Sequence, residues 1–135
     1  HPEPIKDLLE KGYIPVVSTI GCDKQGNTYN INADTAAAYI AGALQAESLI
    51  NMTDTKGVLQ DAADPDSLIV RLSLSDIPKL QESGVITGGM IPKLECCAHA
   101  VEKCANRAFI IDGRVPHAIL IEMLTDEGIG TMVTA

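Results

Sequence analysis

The chain has 135 residues, a length typical of one domain with room for a hydrophobic core. Apolar residues make up 46% of the chain, which excludes a disordered protein, and 18 acidic against 10 basic residues give a net charge of −8. That charge disfavours nucleic acid and anionic membranes as partners, because both attract clustered cations. The sequence also lacks a signal-peptide pattern and any apolar run near the ~20 residues that span a bilayer.

The first element in chain order is an amphipathic helix, which the apolar spacing predicts over residues 5–11, with Gly12 after its last turn. The chain enters this pattern directly from His1, which is not an initiator Met. We therefore expect residues 1–135 to be a single domain that is entered in its middle, with earlier residues of the protein absent.

Strands and helices alternate along the rest of the chain. Strands are predicted at residues 14–19, where the strand is short and buried, and at residues 48–53, 68–73, 107–112 and 129–133. Helices are predicted at residues 34–46, from Ser75 as its cap to Ser83, at residues 93–104, and from Pro116 in its first turn to Leu124. This alternation predicts an α/β fold, a three-layer sandwich in which helices cover both faces of a mainly parallel sheet.

The four cysteines are Cys22, Cys96, Cys97 and Cys104. Three of them lie on one predicted helix, which cannot easily close a disulfide within itself, and the spacing lacks the paired cysteines of a zinc site. We therefore predict reduced thiols, as in a cytoplasmic protein, and no metal site. Cys97 and Cys104 are expected to act as small core residues.

Polar and glycine residues gather where predicted strands end. The segments concerned are Gly21, residues 30–34, residues 53–57 and residues 112–114. Ligands of parallel α/β sheets bind beyond the carboxyl ends of the strands, so this convergence predicts a site there. In extended backbone Asn30, Asn32 and Asp34 point the same way, which suits a polar ligand, although a simple helix cap explains them equally well.

A second polar cluster surrounds the paired glycines of residues 87–93. Gly88 and Gly89 let the backbone approach a ligand closely, and Lys93 follows at a predicted helix start, where a cation opposes the helix dipole. A bound anion shared between Lys93 and the helix N-terminus would explain that placement. An ordinary exposed lysine is the alternative interpretation.

Six motifs in this order make the chain similar to the C-terminal half of the acetylglutamate kinases, within the amino-acid-kinase family. They are Gly12–Val17, Tyr29–Thr35, Thr53–Asp54 with Gly57–Leu59, Gly88–Lys93, Ile111–Arg114 and Gly128–Met132. The resemblance covers nearly all of residues 5–133. It implies an amino-acid-kinase-like C-terminal domain that binds the nucleotide, with the N-terminal substrate domain absent.

The resemblance further implies phosphoryl transfer from ATP, with Mg²⁺, to the side-chain carboxylate of N-acetyl-L-glutamate in arginine or ornithine synthesis. Lys93 would neutralise charge on the transferring phosphoryl group, Asp34 would orient catalytic lysines, and Asn30, with Asn32 nearby, would hold the acetylglutamate. The nucleotide site would be lined by Asp54, Thr55, Lys56, Gly57, Val58, Leu59, Val85, Ile86 and Thr87. The full-length protein would be a homo-oligomer.

Some arginine-inhibited members of the family bind arginine near their C-terminal end, and Glu122 and Gly128 match that pattern. Phe109 stands where several of those members have histidine. Two other functions stay open: a non-catalytic nucleotide-binding or regulatory fragment, and a sibling amino-acid kinase with another acceptor.

Overall fold

The computed structural model describes residues 1–103 and 105–135. Its elements are α1 (Glu3–Glu10), β1 (Ile20–Cys22), β2 (Thr28–Asn30), α2 (Ala33–Leu44), β3 (Ser48–Thr53), β4 (Arg71–Ser73), a 3₁₀ turn (Leu74–Asp76), α3 (Ile77–Glu82), α4 (Met90–Lys103), β5 (Arg107–Asp112), α5 (Ala118–Leu124) and β6 (Thr131–Thr134). The predicted bounds of β3 and β5 are confirmed at every residue. Each strand has an apolar centre, Leu49–Ile50 with Met52 in β3 and Ala108–Ile111 in β5, and polar residues at its two ends.

The main sheet has four strands in the order β3-β5-β6-β4. The pairs β3–β5 and β4–β6 are parallel, and β5–β6 is antiparallel. The register pairs Thr53 with Asp112, so the last residues of β3 and β5 lie side by side. The prediction of a mainly parallel sheet is confirmed, with the β5–β6 pair as its one departure among the described strands.

Helices cover both faces of this sheet, as the alternation predicted. On one face α2 and α4 pack against β3, β5 and β6, and the apolar α2 contributes the buried Ala38 and Ala41. On the other face α5 packs on β5, where Ala118 joins Phe109 and Ile111 in a smaller core. Cys97 is buried in the larger core, as predicted. Cys104 lies outside the described residues.

The predicted buried strand at residues 14–19 is wrong. This segment has no regular structure, and the side chains of Ile14 and Val16 are 90% and 94% exposed. An apolar run becomes a strand only where a neighbouring strand satisfies its backbone, and none of the described strands pairs with it. The turn-rich stretch that follows forms an antiparallel hairpin, β1–β2, so Gly21 lies in this hairpin and not at the edge of the main sheet.

Several helix starts also differ from prediction. Helix α4 begins at Met90, three residues before the predicted start, so Lys93 is the fourth residue of this helix. Ser75 lies inside the 3₁₀ turn, where its hydroxyl shares a hydrogen bond with Ser73, so it does not cap α3. Pro116 lies in the turn before α5, because His117 adopts a left-handed backbone (φ 61°) that separates this turn from the helix. Among the described residues, no helix has the length and apolar character needed to cross a bilayer.

Candidate functional site at the carboxyl edge of the sheet

The topology brings the N-termini of α2 and α4 and the turns after β3 and β5 to one edge of the sheet. Helices α2 and α4 run back along the strands that follow them, so their N-termini lie at the carboxyl ends of β3 and β5. The turn after β3 and the turn after β5 meet at the same edge, where Gly113 N–H donates to the carbonyl oxygen of Thr53 at 2.8 Å. This is the edge at which ligands of α/β proteins bind.

Lys93 and Asp34 form an ion pair across this edge. The Lys93 Nζ donates to Asp34 Oδ2 at 3.0 Å, and the two residues are 59 positions apart in the chain. Lys93 lies in the first turn of α4, where a cation opposes the helix dipole, and the Asp34 carboxylate offsets that repulsion. Both side chains keep about a quarter of their surface exposed, at 27% and 28%, so the ammonium remains accessible to a ligand.

Asn30, Asn32 and Asp34 do not lie on one extended segment, as the prediction of a common direction assumed. The helix begins at Ala33, so Asp34 already lies in its first turn while Asn30 ends β2. The Asn32 side chain accepts a hydrogen bond from Thr35 N–H at 3.1 Å, and this is the N-cap that the alternative interpretation expected. Asn30 is exposed at the end of the hairpin.

The segment between α3 and α4 carries the predicted residues Val85, Ile86 and Thr87. The amides of Val85 and Ile86 both donate to the carbonyl oxygen of Leu80 at 3.0 Å, which closes the end of α3. The Ile86 side chain is buried in the main core, whereas Thr87 is exposed. Gly88 has a left-handed backbone (φ 54°) and open space around its Cα, which leaves room for a ligand.

The loop after β3 divides into an exposed half and a buried half. Asp54, Thr55 and Lys56 are exposed, and the Thr53 hydroxyl accepts from Thr55 N–H at 2.8 Å to form the turn. Val58 is buried in the core, and its amide donates to the Thr131 hydroxyl at 2.8 Å, so this residue offers a ligand no free backbone donor. Its role as a lining residue stays a prediction. Leu59 is half-buried and bridges to Leu68.

Arg114 is held over this edge by Asp112. Its Nε and Nη2 donate to the two carboxylate oxygens at 2.9 and 2.8 Å, and its backbone N–H donates to Oδ1 at 2.9 Å. The side-chain hydrogen bonds from Arg114 lower the pKa of Asp112 to about 2. In return, the hydrogen bonds to Asp112, and to a smaller extent the charge of Asp54, raise the pKa of Arg114.

A cavity of about 360 Å³ opens between these turns. Its lining consists of Lys56, Pro65, Asp66, Leu68, Asp112, Val115 and Ile129. The volume is within the range of small-molecule sites, and apolar walls with a few charged groups are typical of them. Sequence reasoning named Lys56 but missed Leu68, Val115 and Ile129, because apolar residues in separate loops carry no signal of convergence.

A separate cavity of about 300 Å³ lies on the α5 side of the sheet. It brings together Glu122 and Gly128, the two predicted effector residues, with Phe109, Arg71 and Arg107. One carboxylate oxygen of Glu122 accepts from the amides that follow Gly128, at 2.8 and 3.1 Å. The Arg107 guanidinium lies 5.6 Å from the centre of the Phe109 ring.

A helix-covered sheet with an ion pair and a cavity at its carboxyl edge is the architecture of a ligand-binding α/β protein. The model of the amino acid kinase family matches residues 1–112. This match covers more than half of the chain, and the chain belongs to the amino acid kinase family.

Curated relatives support a narrower comparison. The acetylglutamate kinase of Desulforamulus reducens is 52% identical over 135 residues, which are 100% of this chain and 47% of that protein. The acetylglutamate kinase of Brachyspira hyodysenteriae is 56% identical over 128 residues, which cover 95% of this chain and 44% of that protein. The chain therefore spans less than half the length of these relatives.

The fold also has solved neighbours. The N-acetylglutamate synthase of Neisseria gonorrhoeae, in a complex with coenzyme A and L-arginine, superposes with a TM-score of 0.87 at 28% identity. The match covers 98% of this chain and 30% of that protein. It supports the prediction of an amino-acid-kinase-like domain.

Proposed function

We propose that this chain is the nucleotide-binding part of an acetylglutamate kinase. A side-chain carboxylate oxygen of N-acetyl-L-glutamate attacks the γ-phosphorus of ATP, the bond to the ADP oxygen breaks, and an acyl phosphate and ADP leave. The observation that carries this proposal is the 52% identity with the Desulforamulus reducens kinase along the whole chain. The reaction would serve arginine or ornithine synthesis.

Lys93 is the proposed catalytic cation. Charge spreads over the phosphoryl oxygens during transfer, so catalysis rests mainly on positioning and on preorganised positive charge. The Lys93 ammonium, held 3.0 Å from Asp34 and 27% exposed, is oriented and still accessible. Asp34 acts as a positioning residue, because its carboxylate sets the direction of the lysine.

The nucleotide binds, on this proposal, along the exposed half of the loop after β3. Lys56 lines the cavity of about 360 Å³ beside Leu68, Val115 and Ile129, which suit an apolar base face. Thr87 and the open Gly88 approach from the segment before α4. Asn30, and Asn32 through the half of its side chain that does not cap α2, would contact the acetylglutamate.

Mg²⁺ would enter with the nucleotide. The described residues contain no group of three or more His, Cys, Asp or Glu side chains arranged for a metal ion. Mg²⁺ commonly keeps several waters and binds through substrate phosphates with few protein ligands, so an exposed carboxylate such as Asp54 suffices here. The ion would supply charge neutralisation at the phosphates.

The rest of the proposal concerns the whole protein. An N-terminal domain, outside this sequence, would supply most of the acceptor pocket, and the complete protein would be a cytoplasmic homo-oligomer. The length of the relatives supports the further domain, since the chain equals 44–47% of them.

The test is an acceptor assay on a full-length protein that contains this chain. Hydroxylamine traps an acyl phosphate as a hydroxamate. We therefore expect a hydroxamate to accumulate with ATP, Mg²⁺ and N-acetyl-L-glutamate. Glutamate, aspartate and carbamate serve as competing acceptors. Hydroxamate with glutamate or aspartate alone would indicate a sibling kinase, as would a faster ADP release with carbamate. Nucleotide binding without any phosphoryl transfer would indicate a regulatory module.

We further propose that the cavity on the α5 side binds arginine as an effector. Glu122 uses one carboxylate oxygen for the backbone, which leaves the other for a guanidinium, and Arg71 and Arg107 could receive the ligand carboxylate. Substituting Glu122→Gln should abolish arginine inhibition while acetylglutamate turnover persists. An enzyme that is insensitive to arginine before substitution would exclude this effector role.

A further inference from the structure

Thr131 is a fully buried hydroxyl residue at the start of β6. Its Oγ1 accepts a hydrogen bond from the Val58 amide at 2.8 Å and donates to the carbonyl oxygen of Ile69, also at 2.8 Å. One side chain therefore joins three segments: the loop after β3, the chain before β4, and β6.

The hydroxyl replaces a missing backbone bond. The loop after β3 pairs with residues 67–69 in antiparallel fashion, because the Gln60 amide donates to Ser67 and the Ile69 amide donates to Val58, each at 2.8 Å. Regular pairing would also require Val58 N–H to donate to the Ile69 carbonyl. The Thr131 hydroxyl stands between these two groups and satisfies both.

Gly57 shows how closely the loop rests on this hydroxyl. Its backbone has φ 148°, and a Cβ placed there would lie 2.6 Å from Thr131 Oγ1 and 3.0 Å from Thr131 N. The chain therefore bends directly against Thr131, one residue after the exposed Asp54–Lys56 half of the loop. The position of that exposed half depends on where the buried half is anchored.

We infer that Thr131 is a positioning residue for the nucleotide, acting through its hydrogen bonds to the loop of residues 54–59. This inference rests on the proposed function, since it assumes that ATP binds along this loop. A valine at the same position has nearly the same shape but no hydroxyl, so Val58 N–H and the Ile69 carbonyl would both lose their partner. The loop would then shift to recover hydrogen bonds, and the nucleotide would lose its preformed contacts.

The experiment compares Thr131→Val, Thr131→Ala and Thr131→Ser in a full-length protein that contains this chain. We expect Thr131→Val to raise the KM for ATP by roughly tenfold. A buried backbone group without its hydrogen-bond partner weakens the structure it belongs to by a factor of about this size. The KM for acetylglutamate and kcat should stay within about threefold, because among the described residues no hydrogen bond joins the loop to Lys93, whose partner is Asp34. Thr131→Ser keeps the hydroxyl and should restore the KM for ATP.

The matched control is Val133→Ala, two residues along the same strand. Val133 is fully buried in the main core, so its truncation destabilises the protein without touching the loop. Amide exchange of Val58 is the second measurement: it should accelerate in Thr131→Val beyond the change in global stability, and not in Val133→Ala.

Each outcome decides the inference. Unchanged ATP KM in Thr131→Val, an equal rise in Val133→Ala, or no recovery in Thr131→Ser would overturn it. If Thr131→Val does not fold, the KM for ATP should still be higher in Thr131→Ala than in Thr131→Ser. Equal KM values in these two variants would overturn the inference. Failure of the unsubstituted protein to bind MgATP, measured by calorimetry, overturns the proposed nucleotide site itself, and the role of Thr131 falls with it.

Discussion

The Lys93–Asp34 pair and the loop after β3 lie at the same edge of the sheet but are held in different ways. The ion pair joins two helices through side chains that are 27% and 28% exposed. The loop is held by backbone hydrogen bonds and by the fully buried hydroxyl of Thr131. A partly exposed pair contributes little to folding and remains free to meet a ligand, whereas a buried anchor determines where the chain runs.

Because of this difference, substitutions at the ion pair and substitutions at the loop should affect different properties of the protein. Substitution at the pair should change the rate of chemistry and leave folding nearly intact, because solvent screens the lost interaction. Substitution at the loop should weaken nucleotide binding and folding together, because buried backbone groups lose their partners. The predictions below concern a full-length protein that contains this chain.

The largest effect is expected for Lys93→Ala. Removing one preorganised charge from a transition state lowers kcat by about 10²–10³-fold, while the KM for ATP should change only a few-fold. Lys79→Ala is the matched control, since Lys79 also pairs with an aspartate, Asp76, at 3.2 Å. Steady-state kinetics measure both variants. Equal losses in kcat and in ATP affinity would contradict the catalytic assignment.

Gly57→Ala is the corresponding change in the loop. The new Cβ would lie 2.6 Å from Thr131 Oγ1 in a left-handed backbone, so we expect ATP to bind at least about tenfold more weakly and unfolding to require less urea. Gly12→Ala is the control, because Gly12 has φ 79° but no atom within 4 Å of an added Cβ. If Gly12→Ala weakens ATP binding equally, strain in general and not the contact with Thr131 is responsible.

Asp34→Asn should give a smaller change in rate. The amide still accepts a hydrogen bond from Lys93 but no longer holds it by charge, so kcat should fall about tenfold. The free energy of unfolding should change by less than about 1 kcal/mol, since both partners are partly solvated. Asp76→Asn removes the charge from the other lysine pair and should leave kcat unchanged. A stability loss well above 1 kcal/mol in Asp34→Asn would instead make this pair structural.

The smallest effect concerns Cys97, one turn along α4 from Lys93. Burial, reinforced by the charges of Cys96 and Asp34, raises the pKa of its thiol to about 12. Above the ordinary thiol pKa the unfolded chain releases this proton while the folded chain keeps it, so stability falls as pH rises between about 9 and 12. The slope is at most about 1.4 kcal/mol per pH unit.

Urea unfolding at pH 8, 9 and 10 measures this effect. The decline should be shallower in Cys97→Ala, which has no thiol to titrate, and Cys22→Ser at an exposed position is the control. An identical alkaline decline in Cys97→Ala and the unsubstituted protein would contradict the burial of the Cys97 thiol in the core below Lys93.

Much of the fold followed from local pattern. The bounds of β3 and β5 were predicted at every residue, because an apolar centre with polar residues at both ends leaves few alternatives. The existence of helices α2 and α4 followed from alanine content and apolar spacing, although α4 begins three residues earlier than predicted. The same reasoning failed at residues 14–19, where an equally apolar run remains exposed.

The candidate site was predictable in part. The placement of Lys93 against its helix dipole raised the question of a partner, but only the resemblance linked that lysine with Asp34. Sequence reasoning missed the apolar lining of the cavity and the hydrogen bonds by which Arg114 binds the Asp112 carboxylate. Ile129 and Leu68 look like core residues in the sequence, and their meeting depends on how separate loops cross.

The sequence by itself determined the order of helices and strands, the buried faces and the polar strand ends, since these depend on residues close together in the chain. Tertiary structure decided which strand pairs with which, that Asp34 meets Lys93 across 59 residues, and that the Thr131 hydroxyl completes a backbone pairing 73 residues away. The physical reason is that a hydrogen bond or an ion pair requires two groups within about 3 Å of each other. Distance along the chain does not specify that separation, which follows only when the sheet and its helices have packed.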